Sequence, residues 1–543
     1  MLMNTSRGVH LIKKTAYNIE WKLLIFLILF MDVKLAVKAT ALILTYILQP
    51  DFRFGFKMKD SRLPLFYLLI IGITLLNFIL YPNLSGNYGL VLVSGILIWL
   101  ACILAIHQLR LFVDRTDITI LHNTLLVFFI FNIAFSIFNL SAILLEIGIR
   151  NPFLYQGQFQ KYFISTGDYI KGITADTSTT NAVINCFGVI YFLYRKKYPM
   201  VIACMVTLLL TASNFSIFVL LFPLTGIFFL KSNRDQKSII SICLILGIIF
   251  FGKISPQNKD YVTSSLNKFV LKNKDQNIVT KKIIPLWARP DSLLTAETRR
   301  EKTAVLWLDS VERARQQDLA ARGLLRNVVP YKKPVIPEED INTAPFQARA
   351  DTTIFQHQLL SYFQRKAVNR ELKFDEASPG KMAAFDQSVG FFKNHPDRIL
   401  SGEGIGNFSS KLAFRATGLN MAGSFPGNFT YSNSDFLNNH FRLFVYFFEK
   451  PAESHSLMHN PASVYDQLLT EYGLLGIVVF AFYYIGFFIR HRNSLSYGLP
   501  ALFLLLAFFV TDYWFEQLSI VVLFELIMFT DIKEHTQFVK RYE

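Results

Sequence analysis

The segment "HSLMHNPASVYDQLLTEYGLLG" carries several groups that could do acid–base chemistry, and it stands just before a long apolar run near the end of the chain. Two of its residues are histidines, His455 and His459. A neutral imidazole can accept the proton of an attacking hydroxyl when it lies within hydrogen-bond reach. The residue types therefore favour general-base catalysis, with His459 as the candidate base.

The residues after His459 predict the element that positions it. Asn460 is a favoured N-cap and Pro461 suits the first helical position. Residues at helical spacing then predict a short amphipathic surface helix: Tyr465, Leu468, Leu469 and Tyr472. Gly473 and Gly476 would allow a bend into the next apolar run. Since the positive end of a helix disfavours imidazolium, this arrangement predicts a neutral His459.

Two other interpretations of these histidines exist. His455 and His459 are four residues apart, a spacing that suits two metal ligands on one helix. The predicted helix begins after both, however, and no third ligand has suitable spacing, so no metal is expected. The ordinary alternative is a structural histidine at the membrane interface.

A second candidate segment is "ILSGEGIGNFSSKLAFRATG", in which Gly402, Gly404 and Gly406 alternate with other residues. A dinucleotide-binding fingerprint would need a βαβ unit and a further glycine spacing that is missing here. The pattern predicts either a tight loop with positive φ values or a phosphate or sugar site. In the second case, exposed backbone N–H groups and Arg415 would border the ligand.

Composition shows what kind of chain positions these segments. Of 543 residues, 52% are hydrophobic and 53 are Phe. The apolar residues form about 12 runs, each of roughly 15–25 residues, which is long enough for a bilayer of about 30 Å. We therefore predict an all-α polytopic membrane protein. All four cysteines fall in apolar runs, so no disulfide framework is expected.

The net charge of +16 is explained by orientation in the membrane. The basic loops between apolar runs alternate with loops that carry little charge, such as "PNLSGNYG". The positive-inside rule makes the basic loops and both termini cytoplasmic, and no nucleic-acid partner is expected. The predicted first two runs are separate spans rather than one kinked helix, because only then do the basic loops share one side.

These runs divide the chain into three parts. Residues 1–252 form an N-terminal membrane bundle of about nine spans, and residues 473–543 form about three spans and a tail. Residues 253–472 form a large, mainly helical outer loop domain. Within it we predict a helix that ends near Gly323, a Pro-rich linker near 330–352, and helices near 353–373 and 381–394.

Together these motifs resemble the O-antigen ligase and polymerase superfamily of bacterial inner membranes. The resemblance rests on about 12 spans with a large loop before the last three, and on His459-Asn460 followed by Glu471-Tyr472-Gly473-Leu474-Leu475-Gly476. It also rests on Gly404-Ile405-Gly406-Asn407-Phe408 and on "GITADTSTTNAVI". Two departures from the family pattern occur: Thr177-Ser178 replaces Pro-Asn in the last segment, and Ser213-Asn214 replaces Ser-Arg in the separate segment "LLLTASNFS".

The resemblance implies inverting glycosyl transfer from an undecaprenyl-pyrophosphate-linked glycan to a sugar hydroxyl, with neither a metal nor a nucleotide-sugar cofactor. The acceptor would be a glycan, the lipid A core or a protein, and a chain-length regulator is a further expected partner, beside the membrane lipids. The site would face the periplasm at the bacterial inner membrane. The residues it implies fall into two sets. His459 would act as base with support from Asn460 and Glu471, and the pyrophosphate would be bound by Arg415, Lys381, Arg150, Gly404, Gly406 and Asn407.

Polymerase and ligase activities both fit this resemblance, and the long outer loop slightly favours a polymerase. The alternative class is a transporter or flippase for lipid-linked glycans. Such proteins tend to show internal repeats and broken helices near the membrane midplane. We find no repeat between the two halves of this sequence.

Overall fold

A computed structural model describes residues 18–32, 34–58, 61–83, 85, 87–147, 151–154, 166–174, 177–230, 232–255, 380–419, 423–448, 457 and 460–542. Every regular element in these ranges is a helix, as the composition predicts. The predicted helices before residue 380 in the outer loop, and the Pro-rich linker, lie outside the described residues.

The N-terminal part of the chain is built from apolar helices that match the predicted runs. They are α1 (Trp21–Phe30), α2 (Leu35–Leu48), α3 (Phe66–Leu80), α4 (Tyr88–Arg115), α5 (Ile118–Ile147), α6 (Ser178–Tyr194), α7 (Tyr198–Leu210), α8 (Asn214–Leu230) and α9 (Arg234–Ile249). A π-helical turn, Phe250–Ile254, extends α9. The first two predicted runs are two separate helices, and they pack against each other.

The helices differ in how much of a bilayer they could cross. Within the described residues, four helices have the length and hydropathy for a membrane span: Tyr88–Arg115, Ile118–Leu145, Arg234–Ile254 and Val464–Ile489. Others are apolar but shorter, at 10–17 residues. At 1.5 Å per residue, the 10 residues of α1 reach only about 15 Å, half the hydrocarbon thickness. The chain is therefore a helical membrane protein, and the number of 12 crossings stays a prediction.

The second half contributes short helices and then the C-terminal bundle. Its elements are α10 (Gly380–Asn394), α11 (Lys411–Ala416), α12 (Ser434–Phe436), α13 (Arg442–Phe448), α14 (Val464–Val479), α15 (Gly486–Ile489), α16 (Gly498–Phe508), α17 (Trp514–Gln517) and α18 (Ser519–Tyr542). The predicted helix 381–394 is confirmed as α10, and it ends before His395-Pro396 because the residue before proline is biased away from helical φ and ψ.

The helix α18 lies at the centre of the bundle. From Ile520 to Phe529 its apolar side chains are almost fully buried on all sides, and it packs against α4, α5, α6 and α16. Large apolar side chains on the outer helices, such as Ile79, Phe138 and Leu230, are instead exposed. Apolar side chains both in the interior and on the outer surface are expected of a bundle whose periphery faces lipid.

The two ends of the bundle differ in chemistry. At one end, named here the basic end, the basic loops predicted to be cytoplasmic contact one another through ion pairs. Arg62 lies 2.8 Å from Asp114, and Arg195 pairs with Glu534. At the opposite end, named here the loop end, the uncharged segment after α3 contacts residues 397–431: Asn87 donates to Thr430 O at 2.9 Å, and Tyr81 to Asp397 O at 2.8 Å.

The start of α14 differs from the sequence prediction. The helix begins at Val464 and its N-cap is Ser463, whose hydroxyl accepts a hydrogen bond from the Tyr465 N–H. Asn460 is not the cap, because its side-chain oxygen accepts from the Ala462 N–H at 2.9 Å and so forms an Asx turn before the helix. Pro461 accordingly lies outside the helix.

The prediction that this helix is a surface element is also wrong. Leu468 and Tyr472 are fully buried, and so are the polar residues Gln467 and Glu471. The helix is surrounded because the loop of residues 400–410 and α3 pack on it. The predicted bend is present: at Gly473 the backbone takes φ 67° and ψ −164° before the helix continues.

We predict that Gly473→Ala destabilises the protein by about 2 kcal/mol or more, because φ 67° disfavours a Cβ and the added atom would lie 2.3 Å from Leu400 O. The thermal unfolding midpoint of the purified protein in detergent would report this loss. The matched control is Gly247→Ala on α9, where nothing lies within 4 Å of the added atom. Equal midpoints for the two variants would contradict the prediction.

Candidate functional site

The glycine segment forms a tight loop at the loop end. Gly402, Gly404 and Gly406 all have positive φ, at 75°, 97° and 75°. A side chain on Gly402 would meet the Glu471 carbonyl carbon at 2.5 Å, so this backbone lies directly on α14. The loop is fastened there by Glu403 N–H, which donates to Thr470 O at 2.8 Å, and by Gly404 N–H, which donates to Glu471 O at 3.1 Å.

The side chain of Glu471 occupies the concave face of this loop. Its Oε1 accepts hydrogen bonds from the backbone N–H groups of Phe408 at 3.3 Å and Ser409 at 3.1 Å. Successive N–H groups of this kind form a nest that holds an anion. The sequence leaves two interpretations of this segment open, a tight loop or a phosphate or sugar site. The structure shows the tight loop, and the protein's own Glu471 carboxyl group lies against these two N–H groups.

A second carboxylate continues this network. Glu516, on the short helix α17, accepts from the Leu412 N–H at 2.7 Å and from the Gln467 side-chain amide. Both Glu471 and Glu516 are almost fully buried. The charges of Arg415 and Lys411, both on α11, act on Glu516. Arg415 is only 8% exposed, so this candidate pyrophosphate ligand lies largely inside the protein.

Lys381, a candidate pyrophosphate ligand, lies at the start of α10 and is buried. Its ammonium group donates to the carbonyl oxygens of Ala462 and of Thr511, the latter at 3.1 Å. Burial lowers the pKa of Lys381 from 10.5 to about 7, while Asp512 and Asp466 oppose this shift. The side chain therefore joins α10 to the segment that enters α14, three residues after His459.

Residues that the sequence prediction missed form a buried polar cluster nearby. His440 Nε2 lies 3.2 Å from Asp466 Oδ2, and Ser388 donates to Asp466 Oδ1 at 2.9 Å. The ring of Phe408 packs against His440, with 5.1 Å between ring centroids. The cluster thus borders the glycine loop. Its members are scattered over α10, α14 and the π-helical turn Leu437–Phe441, so no local spacing would indicate it.

A cavity of about 430 Å³ opens on the other side of the glycine loop. Its polar and aromatic lining includes Tyr81, Asn83, Tyr88, Arg398, Glu403 and Asn407. Burial raises the pKa of the Glu403 carboxyl, and the neighbouring Arg398 guanidinium opposes this rise. The sequence did carry a signal for this site, since the uncharged segment "PNLSGNYG" and the stretch "HPDRILSGEG" hold many of these groups.

The structure brings together only some of the predicted site residues. Glu471, Gly404, Gly406 and Asn407 meet at the glycine loop, whereas Asn460 is exposed at the turn before α14. His455, His459 and Arg150 lie outside the described residues. In the third motif, Thr177 is the N-cap of α6, and Asn181 binds the preceding segment through Ile170 O at 2.7 Å.

The described ranges contain no group of three or more His, Cys, Asp or Glu side chains that could hold a metal ion. Comparisons of this chain with protein-family models, with curated proteins and with solved structures find no match.

We predict that Glu471→Ala destabilises the glycine loop and Glu471→Gln does so less. In the alanine variant the buried N–H groups of Phe408 and Ser409 lose their acceptor, and each such loss costs about 1–3 kcal/mol. Glutamine keeps one acceptor oxygen at the same place. The unfolding midpoints should follow the order wild type, Gln, Ala. Indistinguishable Gln and Ala midpoints would show that the carboxylate does not hold the loop.

We predict that Lys381 makes stability rise with pH between about 7 and 10.5. Across this range the unfolded chain binds a proton on Lys381 that the folded protein does not, since the folded pKa is about 7. The slope for one proton is at most about 1.4 kcal/mol per pH unit. The stability difference, wild type minus Lys381→Met, should therefore grow as the pH increases. Lys393→Met, which removes a lysine at an exposed position on the same helix, is the matched control. The same pH dependence in both variants would contradict the prediction.

Proposed function

We propose that this protein is an inverting glycosyltransferase of surface polysaccharide assembly that takes its glycan from undecaprenyl pyrophosphate. The proposal places the reaction at the loop end, where the donor's lipid tail can stay in the bilayer. The sugar hydroxyl of the acceptor attacks the anomeric carbon, and the lipid pyrophosphate leaves. Polymerase activity is slightly favoured over ligase activity.

One observation carries this proposal. The two motifs of the family resemblance, 63 residues apart at Phe408 and Glu471, meet through a direct hydrogen bond. The segment that enters α14 after His459-Asn460 is bound to α10 through Ala462 and Lys381. Motifs that belong to one site should converge in this manner, and the cavity beside the glycine loop provides room for a ligand.

The proposed reaction needs a base for the attacking hydroxyl and charged groups that stabilise the leaving pyrophosphate. His459 would accept the proton of the attacking hydroxyl, and Asn460 would orient it. Glu471 would act indirectly, by holding the glycine loop against α14. Pyrophosphate is a good leaving group that needs cations more than an acid, so Arg415, Lys381 and Arg150 stay predicted ligands. Of these, Arg415 and Lys381 are largely buried and would need a local opening to reach a lipid headgroup.

A transporter for lipid-linked glycans is the second candidate, and one observation favours it. Glu525 in the central helix α18 is fully buried and accepts a hydrogen bond from Tyr67 at 2.5 Å. Ionisable residues inside a membrane bundle often mark ion or substrate pathways. A transporter would leave lipid-linked glycan on the cytoplasmic leaflet when the gene is deleted, whereas loss of a transferase would leave it on the outer leaflet.

The decisive experiment is His459→Ala in a deletion strain complemented with the variant. We expect loss of the polysaccharide ladder on gels at an unchanged membrane level of the protein, because general-base catalysis contributes roughly 10²–10⁴-fold. In the deletion strain itself, one repeat unit on the core would indicate a polymerase. Unmodified core with accumulated lipid-linked polymer would indicate a ligase.

His535→Ala is the matched control, since His535 belongs to α18 and to the predicted cytoplasmic tail. It should restore the full ladder. A full ladder with normal chain lengths from His459→Ala would refute the assignment of the base.

A further inference from the structure

We propose that the cavity at the loop end is a binding site for an uncharged sugar ring. Its volume of about 430 Å³ falls within the range of about 300–1,000 Å³ typical of small-molecule sites. The inference rests on the proposed function only in taking that sugar to be part of the donor or acceptor glycan. Recognition itself follows from the lining of the cavity.

The lining combines an aromatic ring with amide groups. The half-buried Tyr81 and Asn83 present a ring surface and an amide with both a donor and an acceptor, while the Tyr88 ring and the Asn407 amide, 2% and 3% exposed, support them from within the protein. A pyranose ring has the complementary pattern, with C–H groups on its faces and hydroxyls around its edge. Each hydroxyl both donates and accepts, so amides pair with it better than a site made of cations alone.

The amides are held in place before any ligand arrives. Tyr431 donates its hydroxyl to Asn407 Oδ1 at 2.8 Å, and the Asn83 amide donates to the same Tyr431 oxygen at 2.9 Å. The Asn407 amide in turn donates to Glu403 O at 2.9 Å. Side chains fixed in this way lose little rotamer entropy on binding, which favours affinity for a small polar ligand.

The charges of the cavity argue against an anion as its ligand. The Arg398 guanidinium lies 3.5 Å from the centroid of the Tyr81 ring. Its Nε lies 3.4 Å from Asp397 Oδ2 and 3.7 Å from Glu403 Oε2. Two carboxylates thus surround one guanidinium. A pyrophosphate placed here would meet compensated or negative charge, whereas a neutral sugar can still accept hydrogen bonds from Arg398 and donate to Glu403.

The test measures binding without turnover. Saturation-transfer NMR would be recorded on the purified full-length protein in detergent, with the methyl glycosides of glucose, galactose, mannose and N-acetylglucosamine as probes. Protein-free micelles give the background. We expect transfer to at least one glycoside, and no displacement by inorganic pyrophosphate at equal concentration.

Two cavity variants locate the binding. Asn83→Leu removes an amide and Arg398→Met removes the guanidinium, and each should weaken binding at least about fivefold, the effect of one lost hydrogen bond. Arg492→Met, an exposed arginine near the basic end, should bind like wild type. The unfolding midpoint shows whether each variant folds. If one cavity variant does not fold, the other provides the test of binding.

Three results would overturn the inference: no transfer to any glycoside, transfer unchanged in the folded cavity variants, or displacement by pyrophosphate. Failure of the proposed function is distinguishable, because His459→Ala should keep glycoside binding in this assay whatever its effect on the polysaccharide ladder.

Discussion

The loop end of this protein is organised around Glu471, a buried carboxyl group that needs hydrogen-bond donors. Glu471 is 1% exposed, and a charge or polar group so far from water is costly unless it is hydrogen-bonded. The backbone N–H groups of Phe408 and Ser409 provide that partner, and they converge only because the glycines before them adopt positive φ. The loop, the helix α14 and the carboxylate therefore depend on one another.

This constraint extends to the surrounding elements. Because the glycine loop lies on α14, the Asn77 amide on α3 can donate to Gly402 O at 2.7 Å, and Tyr88 on α4 can donate to Ile405 O. The bend at Gly473 lets the Leu474 N–H donate to Ile399 O at 2.9 Å, which fastens the chain before the loop. One side of the assembly forms the wall of the cavity. The other side, through Phe408, packs against the buried His440 and Asp466.

The cations described above at the loop end occupy two kinds of position, inside the protein or at the wall of the cavity. Lys381 and Arg415 lie inside, where Lys381 donates to carbonyl oxygens and the charges of Arg415 and Lys411 act on Glu516. Arg398 lines the cavity but is matched by Asp397 and Glu403. The cavity therefore suits a neutral group, and the proposed pyrophosphate binding would depend on a local opening at Lys381 and Arg415 or on Arg150.

The sequence by itself determined the membrane class and most helices, because long apolar runs can satisfy their backbone groups in lipid only as helices. It also determined local features with local causes: the end of α10 before His395-Pro396, the positive φ of the glycine loop and the bend at Gly473. Tertiary structure alone decided the partners. Whether the loop N–H groups face a ligand or Glu471, and whether Lys381 points to solvent or to Ala462 O, depend on segments distant in the chain. No local spacing encodes which distant group arrives, since that is set by the packing of whole helices.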